Sequence, residues 1–329
     1  MNQHRHPRQV RRRRLIPVLI AVVFLTCALT ASAYAFWPSS DDHPTAKPST
    51  PAPTSVEPAP TTPTPTPTTE PTPTPANEPQ ARIAIAGDTG TRDSHAMATA
   101  RRIRLQAQNV GLPYDALLLL GDIVYESGDA DLTKRSVLDP FGSVAKGSDL
   151  IAVLGNHDVK SDEQTSILKQ LGRTSSWYVE RVGPVRVIVL NSTQIRNREQ
   201  VRWLRGVLAE KQPEGTWTIA AMHHAPFSSG YHGSDKDIQR LWVPLFVEAQ
   251  VPLVLAGHDH DYERTYPQDG VTYVVSGAGA KLRKVGRSSF TAVSTATRHF
   301  MEMVVYQDRL ELKAIDQAGG IIDEFTIKR

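Results

Sequence analysis

The chain has 329 residues, of which 40% are hydrophobic and 22% charged, a balance that suits one large globular domain or two small ones. Basic residues exceed acidic ones by 37 to 34, but the excess lies in the first 80 residues, and residues 81–329 carry 30 against 29. A domain that close to neutral gives no reason to expect nucleic acid as a partner.

Residues 1–14 form a basic tail containing "RQVRRRR", and residues 15–37, "LIPVLIAVVFLTCALTASAYAFW", are apolar for about the length that crosses a bilayer. The arginines before this run and the acidic "SSDDHP" after it place the N-terminus in the cytoplasm. The run reads as a signal anchor, with a cleaved signal peptide as the alternative because "ASA" and "AYA" resemble small-residue cleavage sites. Either way the remainder is exported, held at the cell membrane in the first case and secreted in the second. The single cysteine, Cys27, lies in this run as a small apolar residue, so the exported part has no disulfide and relies on its core.

Residues 38–80 are a Pro/Thr-rich linker, typified by "TTPTPTPTTEPTPTP". Proline at every second position excludes helix and sheet and favours a disordered, extended stalk. At about 3.1 Å per residue it reaches up to ~130 Å. Its Thr-Pro composition also permits O-glycosylation.

From residue 81 onward, apolar runs alternate with helical segments. "RIAIA", "ALLLL", "LIAVL", "VRVIVL", "WTIAA" and "VPLVLA" predict strands, and the spacing predicts helices near 94–109, 197–211 and 235–250. The C-terminal part, from "VTYVVSG" to "IIDEFTIKR", reads as strands and hairpins. Alternating short strands and amphipathic helices predict an α/β domain over 81–329.

Five of the apolar runs end alike: "IAIAGD" in Asp88, "LLLLGD" in Asp122, "IAVLGN" in Asn156, "TIAAMHH" in His223 and His224, and "LVLAGH" in His258. Sites in α/β sheets form at the carboxyl ends of strands, so these side chains can converge. One "GD" after a strand is an ordinary turn, but five ends that all offer an oxygen or imidazole donor point to metal. His258 and His260, two apart in "GHDH", are placed on one side of an extended chain by strand periodicity.

In order and spacing, "GDTG", "GDIVY", "GNHD", "HHAP" and "GHDH" resemble the motifs of the calcineurin-like metallophosphoesterases, closest to their purple acid phosphatase branch. The resemblance covers essentially residues 82–305 and extends to "DYERTYP" and "VVSGAGAKLR". It implies an αββα sandwich of two packed mixed sheets flanked by helices, and two metal ions. Most of the superfamily has a histidine where this chain has Gly90, and Tyr125, three residues after Asp122, offers the replacement donor. A phenolate suits a trivalent cation, so the resemblance implies Fe(III) beside Tyr125 and Fe(II), Zn or Mn at the second position.

By the same resemblance, one ion takes Asp88, Asp122, Tyr125 and His260. The other takes Asp122, Asn156, His258 and one histidine of "HHAP". Counting back from Pro226 favours His224, with His223 the alternative, turned to the other strand face. His232 matches the proton donor to the leaving group, His157 a phosphate contact alongside Asn156, and Asp158 the residue orienting the His157 ring. Arg264, Lys281 and Arg283 are further cations within reach of a substrate, although solvated or salt-bridged roles suit them better.

The implied reaction is hydrolysis of a phosphate monoester, with water made acidic by two cations attacking phosphorus in line. A phosphodiesterase acting on nucleotides or lipid headgroups is the alternative with the same ligands. A surface binding protein with a vestigial metal site is the alternative of another class. The expected partners are a phosphorylated small molecule and, through the N-terminal segment, the membrane.

Overall fold

The computed structural model describes residues 77–144 and 149–329. The basic tail, the apolar run of 15–37 and nearly all of the linker lie outside the described residues. Among the described residues, no helix is long and apolar enough to cross a membrane.

Among the described residues, thirteen strands form two mixed sheets. The first contains β1 (Ala81–Ala86), β2 (Ala116–Leu119) and β3 (Asp149–Ala152), with β11 (His299–Val305), β12 (Arg309–Asp316) and β13 (Ile321–Lys328), in the order β13-β12-β11-β1-β2-β3. The second contains β4 (Tyr178–Val182), β5 (Val185–Val189), β6 (Trp217–Ala221) and β7 (Leu253–Ala256), with β8 (Tyr262–Thr265), β9 (Thr272–Ser276) and β10 (Thr291–Thr295), in the order β10-β8-β9-β7-β6-β5-β4. β1, β2 and β3 run parallel, as do β5, β6, β7 and β9. Each parallel set therefore delivers its carboxyl ends to one edge.

Alternation along the strands builds the layers. Ile83 and Ile85 of β1 join Leu118, Val187, Ile219 and Leu255 in a core between the two sheets. The intervening Ala84 and Ala86 face outward with Ile103, where their small side chains admit a helix. Each large aliphatic side chain buried this way contributes about 1.5–3 kcal/mol.

The helices are α1 (Ser94–Val110), the one-turn α2 (Asp139–Phe141), α3 (Gln164–Gln170), α4 (Arg198–Ala209), α5 (Lys236–Leu241) and α6 (Val243–Glu248). The Asp93 side chain caps α1 by accepting from the His95 and Ala96 amides, and Gly111 ends it at φ 74°. α4, α5 and α6 cover the outer face of the second sheet through Leu204, Ile238 and Phe246. The result is the αββα arrangement. The single helix expected over 235–250 is instead two, because Pro244 at the start of α6 cannot continue the ladder from α5.

Candidate metal centre

Asp88, Asp122 and Asn156 follow β1, β2 and β3, while His223 and His258 follow β6 and β7, so both sheets deliver their loops to one seam. Three of these residues adopt left-handed backbone: Asp88 at φ 57°, Asp122 at 51° and His258 at 71°. That conformation costs a residue other than glycine roughly 1–3 kcal/mol, and it persists where surrounding contacts over-determine it. Here the side chains supply such contacts. Asp88 Oδ2 accepts the His258 amide at 2.9 Å, and Asp122 Oδ1 accepts the His157 amide at 2.8 Å. A side chain at Gly90 would run into the backbone of Ile123, so the turn carrying Tyr125 occupies the space a histidine at 90 would need.

The donors fall into two groups that share Asp122. In one, the Tyr125 hydroxyl donates to Asp88 Oδ1 at 3.0 Å and lies 3.3 Å from His260 Nε2, which is 3.4 Å from the same carboxylate oxygen. In the other, His223 Nε2 is 3.1 Å from Asn156 Oδ1, 3.2 Å from His258 Nδ1 and 3.5 Å from Asp122 Oδ1. Donor atoms of Asp88, Asp122 and His223 all lie within 4.8 Å of one another.

His223, not His224, therefore faces the centre. The parity of β6 explains why: Trp217, Ile219 and Ala221 line the inter-sheet core, and His223 is the next residue on that face. Counting from Pro226 missed this. His224 instead places Nδ1 2.9 Å from Ser192 Oγ and its ring 4.4 Å from the ring of His258. His258 and His260 do not alternate along an extended chain. Tight turns through Asp259 and Asp261 aim them at different halves of the site.

The electrostatics fit cations. Asp88 and Asp122 are buried, and among the described residues no lysine or arginine pairs with either. Burial, and then the neighbouring Asp122, push the Asp88 carboxyl well above its usual range. Burial lowers His223 far below an ordinary histidine, His258 to about 2 and His260 to about 4, so these imidazoles are neutral and keep a lone pair. His223 Nδ1 faces the Leu120 carbonyl at 2.8 Å and must carry the proton, which leaves Nε2 as a lone pair aimed at Asp122 and Asn156. Acceptors converging in this way are the arrangement a metal ion satisfies. Burial, followed by Asp88 and Asp122, raises the Tyr125 phenol, so only a cation beside it would favour the phenolate.

The remaining expected residues are placed unevenly. The His157 ring lies at the mouth, with Nε2 3.9 Å from Asp122 Oδ2 and Nδ1 2.6 Å from the Glu126 carbonyl. Asp158 does not orient that ring. Its buried carboxylate accepts the Val124 and Gly155 amides at 2.8 and 2.7 Å and ties two of the site's loops together. His232 stacks on His258 with ring centroids 4.1 Å apart, and Asp259 holds its amide at 2.7 Å. Together with His224 and His258, His232 lines a cavity of about 370 Å³. Lys281 pairs with Glu126 at 2.9 Å and sits 3.7 Å from the Tyr125 ring centroid, and Arg283 Nε is 3.3 Å from His260 Nδ1. Sequence reasoning missed Glu126, Ser192 and Asp259. Only Asp259 carried a signal, through its place in "GHDH".

Arg264 takes the salt-bridged role, the one expected for it ahead of substrate contact. It makes a two-pronged pair with Asp323 at 2.6 and 3.1 Å, stacks over Phe325, and shares Asp323 with the Tyr262 hydroxyl. Arg264→Ala is expected to leave activity unchanged and to lower stability by about 1–3 kcal/mol in urea unfolding, because Asp323 loses its charged partner.

The sequence model of the calcineurin-like phosphoesterases matches residues 81–262. Two uncharacterized proteins of Mycobacterium tuberculosis are 35% identical over 111 residues, a stretch that is 29% of this chain and 21% of theirs, so the chain spans about a fifth of their length. Purple acid phosphatase 3 of Arabidopsis thaliana is 24% identical over 277 residues, covering 72% of this chain and 75% of the relative. The structure of a purple acid phosphatase from yellow lupin seeds superposes with a TM-score of 0.64 at 19% identity, covering 78% of this chain and 55% of that one, a likeness of fold. The chain thus belongs to the calcineurin-like phosphoesterase family, and among its relatives are purple acid phosphatases matched along most of its length.

Proposed function

We propose that the chain is an exported, metal-dependent phosphoric ester hydrolase that acts on phosphate monoesters. The observation that carries this reading is the convergence of Asp88, Asp122 and His223 donor atoms within 4.8 Å of one another, with the Tyr125 hydroxyl on Asp88. Asp88, Asp122, Tyr125 and His260 would hold one ion, with Fe(III) suited to the phenolate. Asp122, Asn156, His223 and His258 would hold a second, as Fe(II), Zn or Mn. Held by these residues, a metal pair would supply acidified water near neutral pH and would offset charge on phosphoryl oxygens.

The chain's own groups supply the rest. His157 lies at the mouth, where it and Asn156 can hold phosphoryl oxygens, and the Glu126 carbonyl and the Lys160 ammonium both meet the His157 Nδ1. His232 lies on the opposite side, against His258 and open to the cavity, where it can give a proton to a leaving alkoxide. Asp259 holds the loop that presents it.

Export rests on the basic tail of residues 1–14 and the apolar run of 15–37, with residues 38–80 as the stalk that carries the domain away from the membrane. The test is metal analysis of purified protein produced with iron, followed by a panel of monoesters and diesters. We expect two ions per chain, a purple to pink phenolate charge-transfer band, and a preference for monoesters. Tyr125→Phe should bleach the colour and leave some activity. A colourless protein that keeps full activity with divalent metals alone, before and after Tyr125→Phe, would remove Tyr125 from the ligand set. A preference for diesters would overturn the monoester assignment.

A further inference from the structure

Helix α4 carries Arg198, Arg202 and Arg205 at spacings of four and three, so their guanidinium groups lie along one face. Arg196, just before the helix, and Arg240 of α5 join them around a groove of about 600 Å³ lined also by Val201 and Leu241. All five arginines are exposed. Asp237 answers two of them, with Oδ2 2.7 Å from Arg196 Nε and Oδ1 2.8 Å from Arg240 Nη2. Among the described residues, Arg198, Arg202 and Arg205 pair with no carboxylate. Glu199 and Glu248 are the other nearby acids: Glu199 follows Arg198 in the first turn of α4, and Glu248 lines the adjoining cavity with Arg205. Like charges at these helical spacings are destabilising, and residues 81–329 as a whole are balanced, so this is a local concentration of charge that bulk composition hides.

One residue links the groove to the cavity beside the metal centre. Asp237 lines the cavity containing His224, His232 and His258, and the same carboxylate holds Arg196 and Arg240 at the groove's edge. The exposed large apolar residues, such as Tyr231, Leu282 and Val285, lie outside the groove. A concave row of guanidinium groups fits phosphates strung along a chain, since each planar fork can take two phosphate oxygens.

We propose that the groove is an accessory binding site, beside the metal centre, for a linear phosphate-bearing polyanion. It extends the phosphoester reading of that centre by naming the kind of substrate whose non-reacting phosphates these arginines hold. The test measures binding of long-chain inorganic polyphosphate and of tripolyphosphate to the full chain at several salt concentrations, for wild type and for R198Q/R202Q/R205Q. Wild type is expected to bind the long chain at least tenfold more tightly than tripolyphosphate. The triple variant should lose that advantage, and its slope of log K against log salt should be shallower by about 2, at roughly 0.7 per lost phosphate contact. Its melting temperature should stay close to that of wild type, because the three arginines are exposed and, among the described residues, pair with no carboxylate.

Unchanged long-chain binding in the triple variant would overturn the proposal, as would a wild type that does not prefer the long chain. Arginine-dependent binding to phosphatidylglycerol vesicles without polyphosphate binding would also overturn it, in favour of a membrane surface. If the triple variant fails to fold, Arg202→Gln alone should weaken binding about threefold and lower the slope by about 0.7, and no change would count against the groove. Failure to hydrolyse p-nitrophenyl phosphate would sink the reading of the metal centre and leave this binding measurement to stand alone.

Discussion

Asp122→Asn is expected to abolish hydrolysis, by roughly 10³-fold or more, and to strip metal from both halves of the centre. Asparagine is the informative substitution because it tolerates left-handed backbone, and Asp122 sits at φ 51°. Alanine there would mix backbone strain with the loss of a ligand. Asparagine also keeps an oxygen for the His157 amide, which Asp122 Oδ1 accepts at 2.8 Å, so the loop should survive. What disappears is the anion shared by the two donor groups, and a loss of about 4 kcal/mol of charge stabilisation corresponds to a thousandfold in rate. Plasma mass spectrometry of the purified variant reads metal content directly. A variant that retains two ions and near wild-type turnover would show that Asp122 bridges nothing.

The adjacent histidines separate with comparable clarity. His223→Ala should lose about one metal equivalent per chain and fall in activity by roughly 10²–10³-fold, because it removes the imidazole whose Nε2 meets Asn156, His258 and Asp122. His224→Ala should keep both metals and stay within about tenfold of wild type, since that ring is held by Ser192 beside the cavity. Metal content measured on both variants decides the matter. The reverse pattern would restore the assignment obtained by counting from Pro226.

This pair also shows how far the sequence could be read. The strand ends that hold Asp88, Asp122, Asn156 and His258 were legible because apolar runs stop abruptly at polar donors, and parallel pairing brings those stops to one edge. β4 was missed because its burial is only partial, so no clean apolar pattern marks it. His223 was recoverable by extending the alternation of Trp217, Ile219 and Ala221, a stronger rule than the distance to a proline in a loop. The role of Asp158 was hidden because its partners are backbone amides of Val124 and Gly155, and amides leave no trace in residue identity. The partner of Arg264 was hidden for a related reason: Asp323 is 59 residues away on another sheet.

The two-layer construction gives the buried aliphatic residues a say in chemistry. Asp88, Asp122 and Asn156 ride on one sheet and the imidazoles of His223 and His258 on the other, with Ile85, Leu118, Ile219 and Leu255 packed between them. Protein interiors are close-packed, so one methylene more or less in that layer shifts the sheets instead of being absorbed by empty space. A shift of a few tenths of an ångström changes the spacing between carboxylates and imidazoles, and ions of different size and preferred geometry tolerate such changes unequally. The inter-sheet core would therefore set the spacing offered to cations held at the seam, and conservative exchanges at these positions would be a route by which metal preference drifts while the donor side chains stay in place.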